Sequence, residues 1–289
     1  MIELNDDSNL HEMLGDTLAD YEKEVNLCKD LNGIREDFIL NIAHDLRTHL
    51  NVILSILQLL NIKKEVLNIN DENWKEYSKT IKKSCYKMLK LINNLIDVTK
   101  LENNYFVCNK ENLDIVSLVE NIVTSVNKYA SEKNISLIFD TDKEECYMAA
   151  DPEVIDRIVM NLLSNAIKFS PNNSEILVTM TVNENDVSIE FKDQGPGIPD
   201  NEMRLIFNRF HKVVKNVTSE YEGNGIGLNL VYNLVKTHQG SISVYNNEDK
   251  GCSFVVKLPR SICKEGKINR KVKSNTKVEV LEIEFSDIY

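Results

Sequence analysis

Proline is absent from the first 150 residues of the chain, and glycine occurs there only at Gly15 and Gly33. All five prolines and the remaining glycines lie further along. Because these two residues interrupt helices and build turns, a segment without them is expected to form long helices. The sequence therefore predicts a helical N-terminal part followed by a mixed domain with many turns.

Long hydrophobic runs are also missing. The most apolar stretch, VILSILQLL at 52–60, is far shorter than the roughly 18 residues of a membrane span. The acidic, polar N-terminus does not resemble a signal peptide. The six cysteines are scattered without a C-x-x-C pair, which argues against a disulfide framework or a zinc site. We expect a cytoplasmic protein, or the soluble part of something larger, with no membrane span.

Positive charge is in deficit, since the formal net charge is −11 at pH 7. A face that binds nucleic acid needs clustered lysine and arginine to neutralise phosphates. We therefore expect no nucleic acid as the main partner.

Two segments before residue 105 carry apolar residues at helical spacing. The first seam comprises Ile39, Ile42, Leu46, Ile53, Ile56 and Leu60, and the second comprises Tyr77, Ile81, Met88, Leu91, Leu95 and Val98. The polar stretch 61–73 between them predicts a loop. Two helices cannot bury both seams alone, so we predict a homodimer that pairs them in a four-helix bundle. A weaker seam at 18–28 predicts a helical or coiled-coil linker.

After residue 105 the pattern alternates between strands and helices. Strands are predicted at ISLIFD, EILVTMTV, VSIEFKD, SISVYN and CSFVVKLP, with helices at 114–134, 151–170 and 225–239. This order favours an α/β sandwich with a mixed sheet and helices on one face. For the last residues, 264–289, a flexible tail and an added strand at KVEVLEIEF are equally good interpretations.

The helix predicted at 153–168 carries a polar stripe beside its apolar face. Its members are Arg157, Asn161, Asn165 and Lys168, which follow one another at spacings of four, four and three residues. Spacing alone fits a plain solvated face. Asparagine, however, is a poor helix former, and amides aligned with a cation suit a metal ion and phosphate oxygens.

Two glycine-rich segments follow. DQGPGIP at 193–199 places Asp193, Gly195 and Gly197 after a strand, where a ligand can approach the backbone closely. YEGNGIGLNL at 221–230 places glycines at the mouth of a helix, where backbone amides form a phosphate cradle. This second segment is neither a Rossmann fingerprint nor a Walker loop.

Helical geometry places the two histidines of NIAHDLRTHLNVI on different faces of the predicted helix. At about 100° per residue, His44 is roughly 160 to 200° from Ile42 and Leu46 of the seam. We therefore predict an outward imidazole beside Asp45, able to meet a phosphoryl group. His49 lies on the seam and is predicted to turn partly toward the bundle core.

The motifs occur in a specific order: the Asn/Lys helix, D-x-G-x-G, the F-x-x-F of IFNRFHKV, G-x-G-x-G and GCSFVVKLP. This order resembles the ATP-binding domain shared by sensor histidine kinases, gyrase-type ATPases, Hsp90 and MutL. With AHDLRT on its N-terminal side, the span 38–259 resembles a bacterial sensor histidine kinase core. The implied fold is multi-domain, α plus α/β: a dimeric antiparallel four-helix-bundle hairpin, then an α/β sandwich of the histidine kinase/gyrase/Hsp90 type.

The resemblance divides the chain into four parts. They are a helical linker at 1–33, a dimerisation and histidine phosphotransfer hairpin at 34–104, a catalytic ATP-binding domain at 105–263, and a tail of unknown role at 264–289.

The resemblance also implies roles in binding ATP and Mg²⁺. Asn161 would ligate the metal, and Asp193 would accept the adenine amino group. The segment 199–221 would be a lid anchored through packing by Phe207 and Phe210. The remaining nucleotide contacts implied are Asn165, Lys168, Gly195, Gly197, Gly223, Gly225, Gly227, Leu228 and, at the γ-phosphate, Arg209.

The implied activity is ATP-dependent autophosphorylation of His44, with Asp45 orienting the imidazole, followed by transfer to an aspartate of a response-regulator receiver domain. Thr48 would position a water for dephosphorylation of that partner. Two alternatives stay open: a dimeric signalling adaptor or phosphotransfer protein with a vestigial ATP domain, and an ATP-gated conformational protein of the gyrase/Hsp90 type. The intact nucleotide motifs argue against the first, and the exposed His44 with Asp45 and Thr48 argues against the second.

His49 is a departure from the family, which usually has proline at this position. The restored amide predicts a straighter helix and therefore an altered balance of kinase and phosphatase activity.

Overall fold

The computed structural model describes residues 42–60, 71–103, 105–209, 211, 225–263, 268–269 and 278–288. The chain divides into two compact units, Met1–Asn51 and Val52–Tyr289. The predicted linker at 1–33 lies outside the described residues, as does most of the predicted loop at 61–73.

Helix α1 runs from 42 to 60, and helix α2 spans Asp71–Glu102. The predicted seams are their least exposed faces, with Ile42 and Ile56 buried on α1 and Leu91 and Val98 buried on α2. Large apolar side chains nevertheless stay exposed on both helices, at Leu50, Leu54, Leu57, Leu59, Leu89, Ile92 and Ile96. This surface is consistent with a second copy of the chain, and the homodimer stays a prediction.

Within the described residues, the chain continues as alternating strands and helices. The elements are β1 (Glu111–Asp114), α3 (Ile115–Ser131), β2 (Ser136–Thr141), β3 (Tyr147–Ala150), α4 (Pro152–Phe169), β4 (Glu175–Val182), β5 (Asp186–Lys192), α5 (Gly227–Thr237), β6 (Ser241–Asn246), β7 (Cys252–Pro259), β8 (Ile268–Asn269) and α6 (Val278–Glu284).

The main sheet has five strands in the order β2-β4-β5-β7-β6. Only β2 and β4 run parallel, and the other pairs are antiparallel. Alternate residues are buried, such as Ile176, Val178 and Met180 on β4, and α3, α4 and α5 pack in a layer against this sheet. The predicted α/β sandwich with a mixed sheet is confirmed.

A second, small sheet of order β3-β1-β8 was not predicted. Its strands are short, between two and four residues long, so they offer too few alternations to be recognised. β1 leads directly into α3, whose N-cap Asp114 accepts hydrogen bonds from the backbone N–H of Val116 and Cys146. The small sheet thus fixes where the first helix of the sandwich begins.

Neither interpretation of the tail survives in full. Residues 278–284 form helix α6 rather than a strand, and the segment is docked rather than free, because Leu281 and Phe285 are buried. The alternation of valine and glutamate favoured a strand, but Leu281 and Phe285 are also four residues apart, which is helical spacing. Packing on α2, α3 and α4 decides between the two patterns.

His238, at the C-terminal end of α5, ties α5 to the start of α4. Its Nε2 accepts a hydrogen bond of 3.1 Å from the backbone N–H of Asp151, the residue that caps α4. The side chain is 2% exposed. Burial, together with nearby Lys110, lowers the pKa of His238 below its ordinary value of 6.5. Protonation would remove the acceptor, so His238 binds a proton less readily in the folded domain than in the unfolded chain.

We expect the domain to lose stability as the pH falls below about 6.5. His238 then binds a proton in the unfolded chain, but its lowered pKa disfavours protonation in the folded domain. Melting temperatures measured at about pH 7.5 and about pH 5.5 should differ less for His238→Gln than for the parent chain. His44→Gln, which replaces an exposed imidazole, serves as the control. An equal pH dependence in His238→Gln and the parent would contradict this assignment.

Candidate functional site

His44 lies on the exposed face of α1. Its side chain is 76% exposed, and Nδ1 lies 3.5 Å from Oδ1 of Asp45. Thr48 lies one turn later, where its hydroxyl donates a 3.0 Å hydrogen bond to the carbonyl oxygen of His44. His49 is half-buried. The predicted exposure of His44 is thus confirmed, and His49 is the less exposed of the two histidines, as its place on the seam predicts.

Helix α4 is buried on almost all sides, including its polar stripe. Asn161 is 6% and Lys168 8% exposed, and Arg157 and Asn165 are half-buried. The interpretation of this stripe as a plain solvated face is therefore wrong. Buried amides and cations need partners, so the stripe has the character of a binding face.

The Asn161 carboxamide is held in one orientation. Its amide nitrogen donates a 3.0 Å hydrogen bond to the carbonyl oxygen of Arg157, one turn earlier. Its Oδ1 faces the first residue of α5, because a Cβ on Gly227 would lie 2.9 Å from it. The structure thus brings the Asn/Lys helix and the second glycine motif into contact, although they are far apart in the sequence.

Asp193 is 5% exposed at the end of β5. Its carboxylate accepts hydrogen bonds from the backbone N–H of Gly195 at 2.8 Å and of Cys252 at 3.2 Å. The Cys252 thiol donates to the other oxygen, Oδ2, at 3.2 Å. A carboxylate oxygen accepts more than one donor, so Oδ2 can take a further N–H, such as that of an adenine amino group.

The glycines around Asp193 are there for steric reasons. A Cβ on Gly251, where φ is +81°, would lie 2.0 Å from the carbonyl oxygen of Asp193. A Cβ on Gly195 would lie 3.0 Å from the Asp193 carboxylate. Gly197 takes a left-handed backbone, with φ of +67°, and the following N–H, of Ile198, is bound by Asn246. The motif GCSFVVKLP was noted in the sequence, but no role was assigned from it to Gly251 or Cys252, and Asn246 was not identified.

The start of α5 is also shaped by glycine. Gly225 has a φ of +67°, and Ile226 caps the helix without a side-chain hydrogen bond. The first N–H groups of α5 are thus not bound by a capping side chain, which suits an anion. Leu228 is half-buried beside Gly227, and Gly223 lies outside the described residues.

Phe207 anchors the segment that follows the Asp193 loop. Its ring packs 6.0 Å from that of Tyr232 and edge-on to Phe254 at 6.4 Å, between centroids. Asn229 of α5 donates a 2.9 Å hydrogen bond to the carbonyl oxygen of Phe207. The predicted packing role of Phe207 is confirmed, whereas Phe210 lies outside the described residues.

Two arginines near the site form ion pairs with α2. Arg157 pairs with Asp97, and Arg209, predicted to contact a γ-phosphate, pairs with Glu102. These carboxylates gave no signal in the sequence, because they are ordinary polar positions of an amphipathic helix. In this structure, then, Arg209 is held by a carboxylate of α2.

The site suits Mg²⁺ only together with a phosphate ligand. Among the described residues, no three of His, Cys, Asp and Glu are grouped to hold a metal ion. Carboxamide oxygens such as those of Asn161 and Asn165 are hard ligands of the kind Mg²⁺ accepts, and phosphate oxygens usually complete its shell. The residues present therefore fit a magnesium–nucleotide complex.

Two family matches cover these features. Residues 34–104, which contain His44, match the His Kinase A (phospho-acceptor) domain. Residues 150–262, which contain α4, the Asp193 loop and α5, match the histidine kinase-, DNA gyrase B- and HSP90-like ATPases.

Individual proteins are similar over most of the chain. Hybrid signal transduction histidine kinase D of Dictyostelium discoideum is 31% identical over 244 residues, or 83% of this chain and 15% of that protein. The autoinducer 2 sensor kinase/phosphatase LuxQ of Vibrio vulnificus is 31% identical over 278 residues, or 92% of this chain and 31% of LuxQ. The histidine kinase ThkA, solved in complex with the response regulator TrrA, shares the fold with a TM-score of 0.61 at 23% identity, covering 85% of this chain and 67% of ThkA.

A phospho-acceptor helix followed by an ATPase domain of the gyrase and HSP90 type defines a class, the core of a histidine kinase. Residues 34–104 and 150–262 give this chain the core of a histidine kinase, and the resemblance and the fold predicted from the sequence are confirmed. It spans less than a third of the length of either curated relative. Across the described residues, none of the helices combines the length and apolarity that crossing a membrane requires.

Gly227→Ala should weaken nucleotide binding without unfolding the domain. The helical backbone accepts alanine, but the new Cβ would lie 2.9 Å from Asn161 Oδ1 and displace the carboxamide. We expect the Kd for Mg²⁺–ATP, measured by calorimetry, to rise about tenfold with little change in melting temperature.

Gly240→Ala is the contrasting control, because its Cβ would lie 2.4 Å from the Lys257 carbonyl oxygen, away from this site. It should lower the melting temperature and leave the Kd of the folded protein unchanged. If Gly227→Ala left the Kd for Mg²⁺–ATP unchanged, the Asn161 carboxamide would have no role in nucleotide binding.

Proposed function

We propose that the chain is the catalytic core of a two-component sensor histidine kinase, which phosphorylates its own His44 from ATP and passes the phosphoryl group to an aspartate of a response-regulator receiver domain. The observation that carries this proposal is the exposed His44 imidazole beside Asp45, on a helix that matches the phospho-acceptor domain. A cytoplasmic location and the homodimer predicted from the helical seams belong to the same proposal.

The geometry at His44 supports attack by its Nε2. Asp45 lies near Nδ1, so the carboxylate holds the ring proton there and leaves the lone pair of Nε2 free. A bond forms between Nε2 and the γ-phosphorus while the bond from phosphorus to the bridging oxygen breaks, and ADP leaves. Asp45 then stabilises the positive charge on the ring and takes up its proton.

The protein contributes mainly position and charge to such a transfer. Orienting the reacting groups supplies about 7–11 kcal/mol of the barrier in favourable cases. Asp193 would bind the adenine amino group, while Asn165, Lys168, Leu228, the α5 glycines and Arg209 would surround the phosphates. Magnesium, held by Asn161 together with the phosphates, would neutralise the charge on the transferring group.

Labelling with γ-³²P-ATP and Mg²⁺ tests the kinase. The parent chain and His49→Gln should take up acid-labile, base-stable label, and His44→Gln should take up none. His49→Gln is the matched control, because it changes the other histidine of the same helix.

Each other outcome is informative. Label lost only in His49→Gln would overturn the assignment based on exposure. A parent chain that binds ATP measurably but takes up no label would favour the signalling adaptor over the kinase.

We further propose that the chain dephosphorylates its partner, with Thr48 positioning the attacking water. LuxQ, one of the relatives, is named as a kinase and phosphatase. Thr48 donates its hydroxyl proton to the His44 carbonyl oxygen at 3.0 Å, which leaves the hydroxyl oxygen as an acceptor that can orient a water. The helix runs uninterrupted through His49, so both residues stay on one continuous face.

Thr48→Ala should leave autophosphorylation of His44 intact and slow the loss of label from a phosphorylated receiver domain about tenfold or more. Thr80→Ala is the matched control, because the Thr80 hydroxyl makes the same 3.0 Å bond to the carbonyl oxygen of Glu76 on α2. If both variants slowed the loss of label from the receiver domain equally, the role of Thr48 would be structural only.

A further inference from the structure

The C-terminal segment 278–288 is anchored in a groove between α2, α3 and α4. Phe285 is fully buried, and its ring stacks on Tyr129 of α3 with centroids 4.7 Å apart. Leu281 is buried one turn earlier. An anchor of this kind holds the acidic residues around it in defined positions.

Those acidic residues form ion pairs with α2. The ammonium of Lys90 lies 3.3 Å from the Glu284 carboxylate and 3.1 Å from that of Asp287. Burial alone would lower the pKa of Lys90, but these two carboxylates raise it above its ordinary value. On the other side of the segment, Lys82 and Tyr86 both contact the Glu282 carboxylate at 2.8 Å.

The same segment lies against the face of α4 that carries the polar stripe. Ser164 donates a hydrogen bond of 3.4 Å to the carbonyl oxygen of Glu284. At about 100° per residue, Ser164 lies within an arc of roughly 60° that also contains Arg157, Asn161 and Lys168. Asn161 and Glu284 line one cavity between α2, α4 and α6, together with Arg157 and Asp97.

The charges of the segment match those of the stripe. Burial raises the pKa of Glu284 against the pull of Lys90 and, more weakly, of Arg157. Lys90 and, after it, Lys168 outweigh burial and hold the pKa of Asp287 below its ordinary value. A triphosphate that used the same cations would meet two carboxylates in the place where it needs positive charge. Like charges at such short range repel strongly when they are shielded from water.

We propose that residues 278–288 are an intramolecular competitor of the nucleotide, which must leave the α4 stripe before the triphosphate and magnesium can bind. The inference rests on the proposed kinase function and adds its regulation. Because the segment also pairs with α2, its release removes one set of the contacts that hold the ATP-binding domain against that helix. The apparent Kd for ATP then equals the intrinsic Kd divided by the fraction of molecules with the segment released.

A chain that ends at residue 277 tests this directly. If the segment is docked about nine-tenths of the time, the Kd for Mg²⁺–ATP should fall about tenfold on truncation, and the initial rate of His44 phosphorylation at low ATP should rise accordingly. An added peptide of residues 278–288 should restore the weaker Kd in competition with ATP. The same peptide with Phe285→Ala, which keeps every charge, should restore it far less.

A second variant retains residues 278–288 and serves as the test if the truncated chain does not fold. Lys90→Met with Glu284→Gln and Asp287→Asn removes the two carboxylates and the lysine that pairs with them, and retains the Phe285 anchor. We expect it also to bind ATP more tightly than the parent chain. An unchanged or weaker ATP affinity in this variant overturns the proposal.

Failure of the kinase proposal would look different. In that case neither the parent nor the truncated chain would take up label at any ATP concentration, whereas a failed competitor leaves both labelled at equal rates with equal Kd.

Discussion

The structure depends on covering helix α4 on every side while giving its polar groups partners. Asn161, Ser164 and Lys168 are buried along with the apolar face that packs on the sheet. An unsatisfied buried polar group costs about 1–3 kcal/mol, and an unpaired buried charge costs more. A helix of this composition is stable only if a ligand, or polar groups from neighbouring elements, complete its surroundings, and here α2 and the C-terminal segment do so.

Carboxylates of the chain pair with cations that lie at the proposed nucleotide site. Arg157 is paired with Asp97, and Arg209 with Glu102, while Asp287 lies in the field of Lys168. A bound triphosphate would exchange these partners for phosphate oxygens. If the nucleotide binds as proposed, it competes with the ion pairs that hold the ATP-binding domain against α2.

Much of the fold could be predicted because its signals are local. Strands β4, β6 and β7 begin and end at the predicted residues, since alternation and bounding turns define them. Strands β1 and β3 are too short to show an alternation of buried and exposed residues. The tail fits both a strand and a helix pattern, and the packing of Phe285 on Tyr129 favours the helix. The orientation of His44 followed from helical geometry alone, whereas the thiol of Cys252 beside Asp193 could not be foreseen.

The family, the order of the nucleotide motifs and the greater exposure of His44 than of His49 could be predicted from the sequence, because periodicity and turn chemistry act between near neighbours. Only the tertiary structure decided which groups hold the cations of the site. Asp97 and Arg157 are 60 positions apart, and Lys90 and Glu284 are separated by 194. Such pairs leave no trace in local spacing, since they form only when packing brings distant helices into contact.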